Sequence, residues 1–294
     1  MDGVVLAPVI VGFATGVTIQ NVIFKDLAGN HAIQITGCTD TQVKNCMFAG
    51  YKMGNSFTRE VIQVEPTAPG ACGSNVDTTP IKFSDTSGAI DYYKRSKNIT
   101  ISDCYFGKSD TLGGPLMAIG HHSYKGAAGA NVVGMYIKNN VFDECFYAAI
   151  RFTSISKLEI TGNTFIASPI SNWSTADVAD MSSIPTKGKP ALIQFYHYSN
   201  IRDIGIQISV IRDNTFILNG AVDRRIIYYE SATLYNEKLT VQNNDITFSG
   251  DVVDYTDYYI CLGDVKTVDY TEGKVLLGDN TFTDGVLRTI PSSS

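Results

Sequence analysis

Leu158-Glu159-Ile160-Thr161-Gly162-Asn163-Thr164-Phe165 is the stretch that decides the fold. Leu158 and Ile160 alternate with polar neighbours, as a half-buried strand does. Gly162 then offers a tight turn, and Asn163 and Phe165 follow two places apart. The closing phrase returns eight times, as Val22-Ile23-Phe24, Cys46-Met47-Phe48, Cys104-Tyr105-Phe106, Asn140-Val141-Phe142, Asn163-Thr164-Phe165, Asn214-Thr215-Phe216, Asn244-Asp245-Ile246 and Asn280-Thr281-Phe282. Its spacing ranges from 23 residues (Asn140 to Asn163) to 58 (Cys46 to Cys104), so the unit tolerates insertions. A coil that stacks on copies of itself needs this arrangement, because each copy buries its apolar face only against the next. Amides in register satisfy one another, where an unsatisfied buried amide would cost about 1 to 3 kcal/mol.

The lead-in strand recurs as well, as Val17-Thr18-Ile19, Ile99-Thr100-Ile101 and Leu239-Thr240-Val241, each joined to its phrase through Asn, Asp or Gly. A further strand lies between phrases: Ala32-Ile33-Gln34-Ile35-Thr36, Val61-Ile62-Gln63-Val64-Glu65, Ala118-Ile119-Gly120-His121-His122, Ala149-Ile150-Arg151-Phe152-Thr153, Leu192-Ile193-Gln194-Phe195-Tyr196, Ile226-Ile227-Tyr228-Tyr229-Glu230 and Tyr259-Ile260-Cys261-Leu262-Gly263. Short strands in fixed order with polar turns and no helical period predict an all-β chain, a single-domain parallel β-helix of about eight coils. An antiparallel sandwich would not bring the same side-chain type to the same turn in every unit.

Composition bounds the rest. The 294 residues, 44% hydrophobic and 18% charged, support a large core and one elongated domain over 1–294. A net charge of −6 implies no general attraction to nucleic acid or to anionic membranes. The apolar stretch 4–14 is too short to span a bilayer, contains Pro8 and follows Asp2, so it is read as a strand, and no membrane insertion is expected. Opening directly on core-type sequence, the chain is expected to be a piece of a longer protein. The six cysteines lack the spacing of a zinc site and are expected as free thiols, with Cys46 and Cys104 buried at the position that Asn holds elsewhere.

Asn-x-x-Phe following Ile-x-Ile, with amide ladders and Phe stacks, resembles the right-handed parallel β-helices of the pectin-lyase-like superfamily over nearly the whole chain. More narrowly, Arg59-Glu60-Val61-Ile62-Gln63-Val64-Glu65, Ile119-Gly120-His121-His122-Ser123 and Ala149-Ile150-Arg151 resemble β-helix modules in large surface proteins of Gram-positive bacteria. The superfamily resemblance implies lyases, hydrolases and epimerases of uronic-acid polymers, alongside members that only bind; fold alone does not choose among them. The polygalacturonase pattern of paired aspartates with Gly-His-Gly and Arg-Ile-Lys is missing, as is the Arg-x-Pro-x-x-Arg segment of pectate lyases.

Alternation sends Gln34, Gln63, Gly120, Arg151, Gln194 and Tyr228 outward in one column and Thr36, Glu65, His122, Thr153, Tyr196 and Glu230 in the next. With coils about 4.8 Å apart, Glu65, His122 and Arg151 fall together. Glu65 or His122 would act as acid or base, Arg151 would hold a substrate carboxylate, Glu60 is a second carboxylate, and Gly120 would leave room for a sugar ring. Insertions at 66–97 and 167–190 would flank this groove, the second carrying Trp173. Gln63, Gln194, Tyr196, Trp173, Tyr228 and Glu230 are the expected substrate contacts. Asp110 and Asp264 are carboxylates a calcium ion would use, but no calcium-binding loop surrounds them, and no metal or cofactor is expected. The expected function is extracellular polysaccharide processing, lyase before hydrolase, at the cell surface or beyond it; a non-catalytic glycan-binding adhesin module is the alternative.

Overall fold

The computed structural model describes residues 8–28, 31–52, 60–65, 95–120, 132–152, 155–168, 191–195, 207–220, 225–229, 239–249, 260–262, 275–283 and 287–289. They form a right-handed parallel β-helix built of three sheets. The first sheet runs from Val9–Gly12 to Ile260–Leu262 and the second from Thr18–Gln20 to Val275–Gly278, each with eight strands. The third begins at Ile23–Ala28 and has nine. Every third strand in sequence is a neighbour in space, so one coil contributes one strand to each sheet, as in Ala148–Phe152, Ile155–Thr161 and Thr164–Ala167. All pairings are parallel except that of Leu287–Thr289, which closes the third sheet antiparallel to Thr281–Thr283. Within the apolar stretch 4–14, Val9–Gly12 is a strand.

The corner between the second and third sheets shows why the phrase repeats. The residue before each ladder position, Asn21, Asn45, Asp103, Asn139, Gly162, Asp213, Asn243 and Asp279, has φ between 48° and 68°. Asn, Asp and Gly tolerate this left-handed conformation best. The bend turns the next side chain inward. Asn140, Asn163, Asn214 and Asn244 each donate from Nδ2 to the Oδ1 of the next, at 2.8 to 3.0 Å. Each Oδ1 also accepts the backbone N–H of the preceding ladder residue, at 2.9 to 3.0 Å. The second Nδ2 proton goes to a strand carbonyl of the preceding coil, such as Ile160 for Asn214 at 3.0 Å. Two residues on, Phe24, Phe48, Phe106, Phe142, Phe165 and Phe216 stack with centroids 4.8 to 5.1 Å apart and planes within 14°.

Cys46 and Cys104 continue the ladder as buried thiols. Cys104 Sγ reaches the Val43 carbonyl at 3.8 Å and Cys46 Sγ the Ile19 carbonyl at 3.8 Å, the positions that Asn Nδ2 uses in later coils. A thiol replaces the donor but offers no amide oxygen. Burial pushes the Cys104 thiol up to about 12. Because the folded chain holds this thiol neutral, its contribution to stability is complete below about pH 9 and is lost as pH rises toward about 12. The denaturation midpoint is therefore expected to fall across that window, with part of the fall absent in Cys104→Ala. Thiol-directed reagents at pH 8 are expected to leave Cys104 unlabelled until the chain unfolds; rapid labelling of native protein at Cys104 would refute this. Cys38 and Cys145 are likewise buried; the side chains of Cys72 and Cys261 lie outside the described residues.

The insertion at 66–97 lies outside the described residues except at its end, where Ser96 donates to the Glu65 carbonyl at 2.6 Å and Lys97 already opens a strand. At 167–190, Ala167 still belongs to a strand and Ser168 donates to Glu144 from both N and Oγ. Trp173 and the remainder lie outside the described residues.

Candidate functional site

Strand register in the first sheet places Gln34 opposite Gln63, Gln63 opposite Gly120, Gly120 opposite Arg151, Arg151 opposite Gln194 and Gln194 opposite Tyr228. The row runs in the order that alternation predicts. Thr36 faces Glu65 in the next row. His122, Tyr196 and Glu230 lie outside the described residues, so only the Glu65, Glu60 and Arg151 part of the expected catalytic group can be placed.

These side chains do not line an open groove. Glu60, Gln63, Glu65, Arg151, Gln194 and Tyr228 are all buried, from 0% to 7% exposed. Alternation named the correct side of each strand, but exposure depends on what packs over that side, and outward was equated with solvated. Gly120 corrects a second expectation: instead of leaving room for a ring, it lets two coils touch. A Cβ at Gly120 would overlap the Arg151 carbonyl oxygen and lie 2.9 Å from the carbonyl carbon.

The polar groups are apportioned to different ends of the strands. Gln63 donates from Nε2 to Glu65 Oε1 at 2.8 Å. Arg151 stands two coils from Gln63, about 10 Å along the axis, and its Nη1 lies 3.6 Å from Met117 Sδ. Met117 pairs in register with Glu60. The guanidinium is thus turned toward the Glu60 end of the sheet, while Glu65 closes the other end of its strand. Aromatic rings flank the cations: Arg151 lies 6.0 Å from the Tyr147 ring centroid and Arg225 4.7 Å from that of Tyr228. Gln194 donates from Nε2 to the Tyr147 hydroxyl at 3.3 Å, while its Oε1 is buried with no hydrogen-bond partner among the described residues. At these distances the ring quadrupole attracts the cation.

Tyr147, Met117 and Arg225 were missed from sequence. Tyr147 shares two-residue parity with Arg151, and Arg225 ends the Arg224-Arg225 pair just ahead of Ile226; both signals were present. His31 is buried and donates from Nδ1 to the Glu60 carbonyl. Asp110 pairs with Lys25 at 3.1 Å on the surface. Among the described residues no three His, Cys, Asp or Glu side chains converge as a metal ion requires, and no helix is long and apolar enough to cross a membrane.

No family model matches the chain. Plasmin and fibronectin-binding protein A of Streptococcus pneumoniae is 32% identical over 253 residues, covering 83% of this chain. A solved structure of the Streptococcus pneumoniae surface protein and adhesin PfbA aligns with 93% of this chain and 66% of that one, at TM-score 0.67 and 27% identity. The chain resembles a β-helix module of a bacterial surface adhesin. A second crystal structure of PfbA, at TM-score 0.59 and 24% identity over 94% of this chain and 61% of that one, shares the fold. This chain spans 31% of the length of the curated relative. The relatives are surface proteins, the location that the sequence resemblance implied.

Proposed function

We propose that this chain is a non-catalytic binding module of a cell-surface adhesin. The observation that carries the reading is the burial of the Glu60, Glu65 and Arg151 neighbourhood. A general acid or base must come within hydrogen-bond reach of the proton it moves, and a cation that neutralises a substrate carboxylate must meet that carboxylate. Buried side chains on a packed strand row suit a rigid scaffold better than either task, which weighs against lyase or hydrolase chemistry at these residues. The 32% identity to a protein named for binding plasmin and fibronectin supports host extracellular proteins as ligands. Polysaccharide remains the alternative partner class, with no turnover expected.

Surface plasmon resonance over immobilised fibronectin and plasmin tests the ligand class. Incubation with oligogalacturonate and neutral glycans, followed by absorbance from new double bonds and by reducing-end titration, tests turnover. The expected result is saturable binding of at least one host protein and no product. Product formation that disappears in Glu65→Gln would overturn the reading, as would failure to bind either protein.

A further inference from the structure

The corner between the second and third sheets carries an open concavity of about 620 Å³ on the outside of the solenoid, across its first four coils. Two rows line it. Ile23, Met47, Tyr105 and Val141 are opposite one another in successive strands of the third sheet and point outward. Beside them run the turn residues Asn21, Asn45, Asp103 and Asn139. Each row repeats once per coil, about every 4.8 Å.

The apolar row is exposed where an outward strand face is ordinarily polar. Ile23 and Met47 are 69% and 42% exposed, two of the four exposed large hydrophobics among the described residues, while Tyr105 and Val141 are half-buried. Past Val141 the same register continues as Thr164, Thr215, Asp245 and Thr281, so the apolar character is confined to the concavity. Tyr105 is held in place by its hydroxyl, which donates to Asp143 Oδ2 at 2.8 Å, and its ring lies over Gly107, where a Cβ would come 2.5 Å from the ring carbon Cζ. The ring thus lies close against the sheet and is half-buried.

The polar row is organised for hydrogen bonding across coils. Asn45 Nδ2 donates to Asn21 Oδ1 at 2.7 Å and Asn139 Nδ2 to Asp103 Oδ1 at 3.4 Å. This leaves the Asn21 amide protons, Asn45 Oδ1 and the second Asp103 oxygen facing solvent as donors and acceptors. Among the described lining residues there is one carboxylate and no cation.

We propose that this flank is a binding groove for a neutral polysaccharide chain lying along the solenoid axis. Amides and a carboxylate match hydroxyl groups, while the aliphatic side chains and the half-buried Tyr105 ring match the C–H faces of pyranose rings. A uronate chain would bring its carboxylates against Asp103 with no cation to offset them. The row runs on into Thr164 and Thr215, which suits the middle of an extended chain rather than a chain end. The groove lies on a different flank from the Glu65–Arg151 column, and the proposal does not depend on the host-protein reading.

Isothermal titration calorimetry on the whole chain with chito-, manno- and cello-oligosaccharides, and with oligogalacturonate as the charged comparison, tests it. At least one neutral oligomer is expected to bind, more tightly than oligogalacturonate. Asn45→Gly keeps the left-handed turn, and Ile23→Ser with Met47→Ser alters only exposed side chains; each is expected to weaken that binding about tenfold or more. Fibronectin and plasmin binding by the same variants is expected to stay unchanged, so failure of one reading is seen apart from failure of the other. The proposal is overturned if no neutral oligomer binds, if oligogalacturonate binds as tightly, or if binding survives both variants. Should a variant lose its fold, the preference of the unaltered chain for neutral over charged oligomers still decides.

Discussion

Phe165→Ala is expected to lower the unfolding free energy by about 3 to 5 kcal/mol. The ring is fully buried and lies between Phe142 at 4.9 Å and Phe216 at 4.8 Å, nearly parallel to both. Truncation removes transfer free energy and leaves a void that the neighbouring coils close poorly, because their backbone ladders hold them at a fixed rise. Both stacking contacts go at once, since each face of the ring belongs to a different coil. Ile246 takes the corresponding place after Phe216 and is buried there, so a large aliphatic group is compatible with the stack. Phe165→Leu is accordingly expected to cost about 1 to 2 kcal/mol. Urea denaturation followed by far-ultraviolet circular dichroism measures both. Equal losses for Ala and Leu would show that ring contact, not filled volume, governs the stack.

Asn214→Ala is expected to cost about 2 to 4 kcal/mol, although it removes far less apolar area. The Asn163 backbone N–H loses its acceptor, the Asn163 amide loses one of its acceptors, and the Ile160 carbonyl and Asn244 Oδ1 each lose a donor. All of these groups are buried, so water cannot take the vacated places without opening the corner. Asn219→Ala, on an exposed position of the adjacent strand, is the comparison and is expected to stay within about 0.5 kcal/mol. A loss below about 1 kcal/mol for Asn214→Ala would mean that the ladder is satisfied by other groups.

These two residues also show how much was legible beforehand. Asn163, Asn214 and Phe165 announce their places because the amide and the ring recur at fixed offsets from a residue that tolerates positive φ, and the offset is a local property of the chain. The row from Gln34 to Tyr228 was legible for the same reason: a two-residue period assigns sides without knowledge of the neighbours. The candidate site was read less well. Arg151 was expected beside Glu65, yet its guanidinium lies against Met117 at the Glu60 end of the sheet. A long side chain chooses its direction from what surrounds it, and Tyr147 and Met117 are supplied by neighbouring turns and coils. Gly120 was read as space and is a contact, because the absence of a side chain has the same sequence whether a ligand or another backbone approaches.

The groove lined by Ile23, Met47 and Tyr105 was overlooked for the opposite reason. Its residues stood inside the quoted ladder phrases, each as the middle residue between a ladder residue (Val22, Cys46, Cys104 or Asn140) and an inward ring. Attention to the inward pair hid the fact that the middle residue faces out and that four in succession are apolar. Register brings those four together, and only register makes them a surface.

The sequence by itself determined the coil, its three strands, the left-handed corner and the identity of the ladder and stack residues, because each follows from periods and offsets of a few residues. The tertiary structure decided which outward faces are buried, where Arg151 points and which corner carries an open concavity. Those depend on packing between segments tens of residues apart, and no local pattern encodes what lies over a strand.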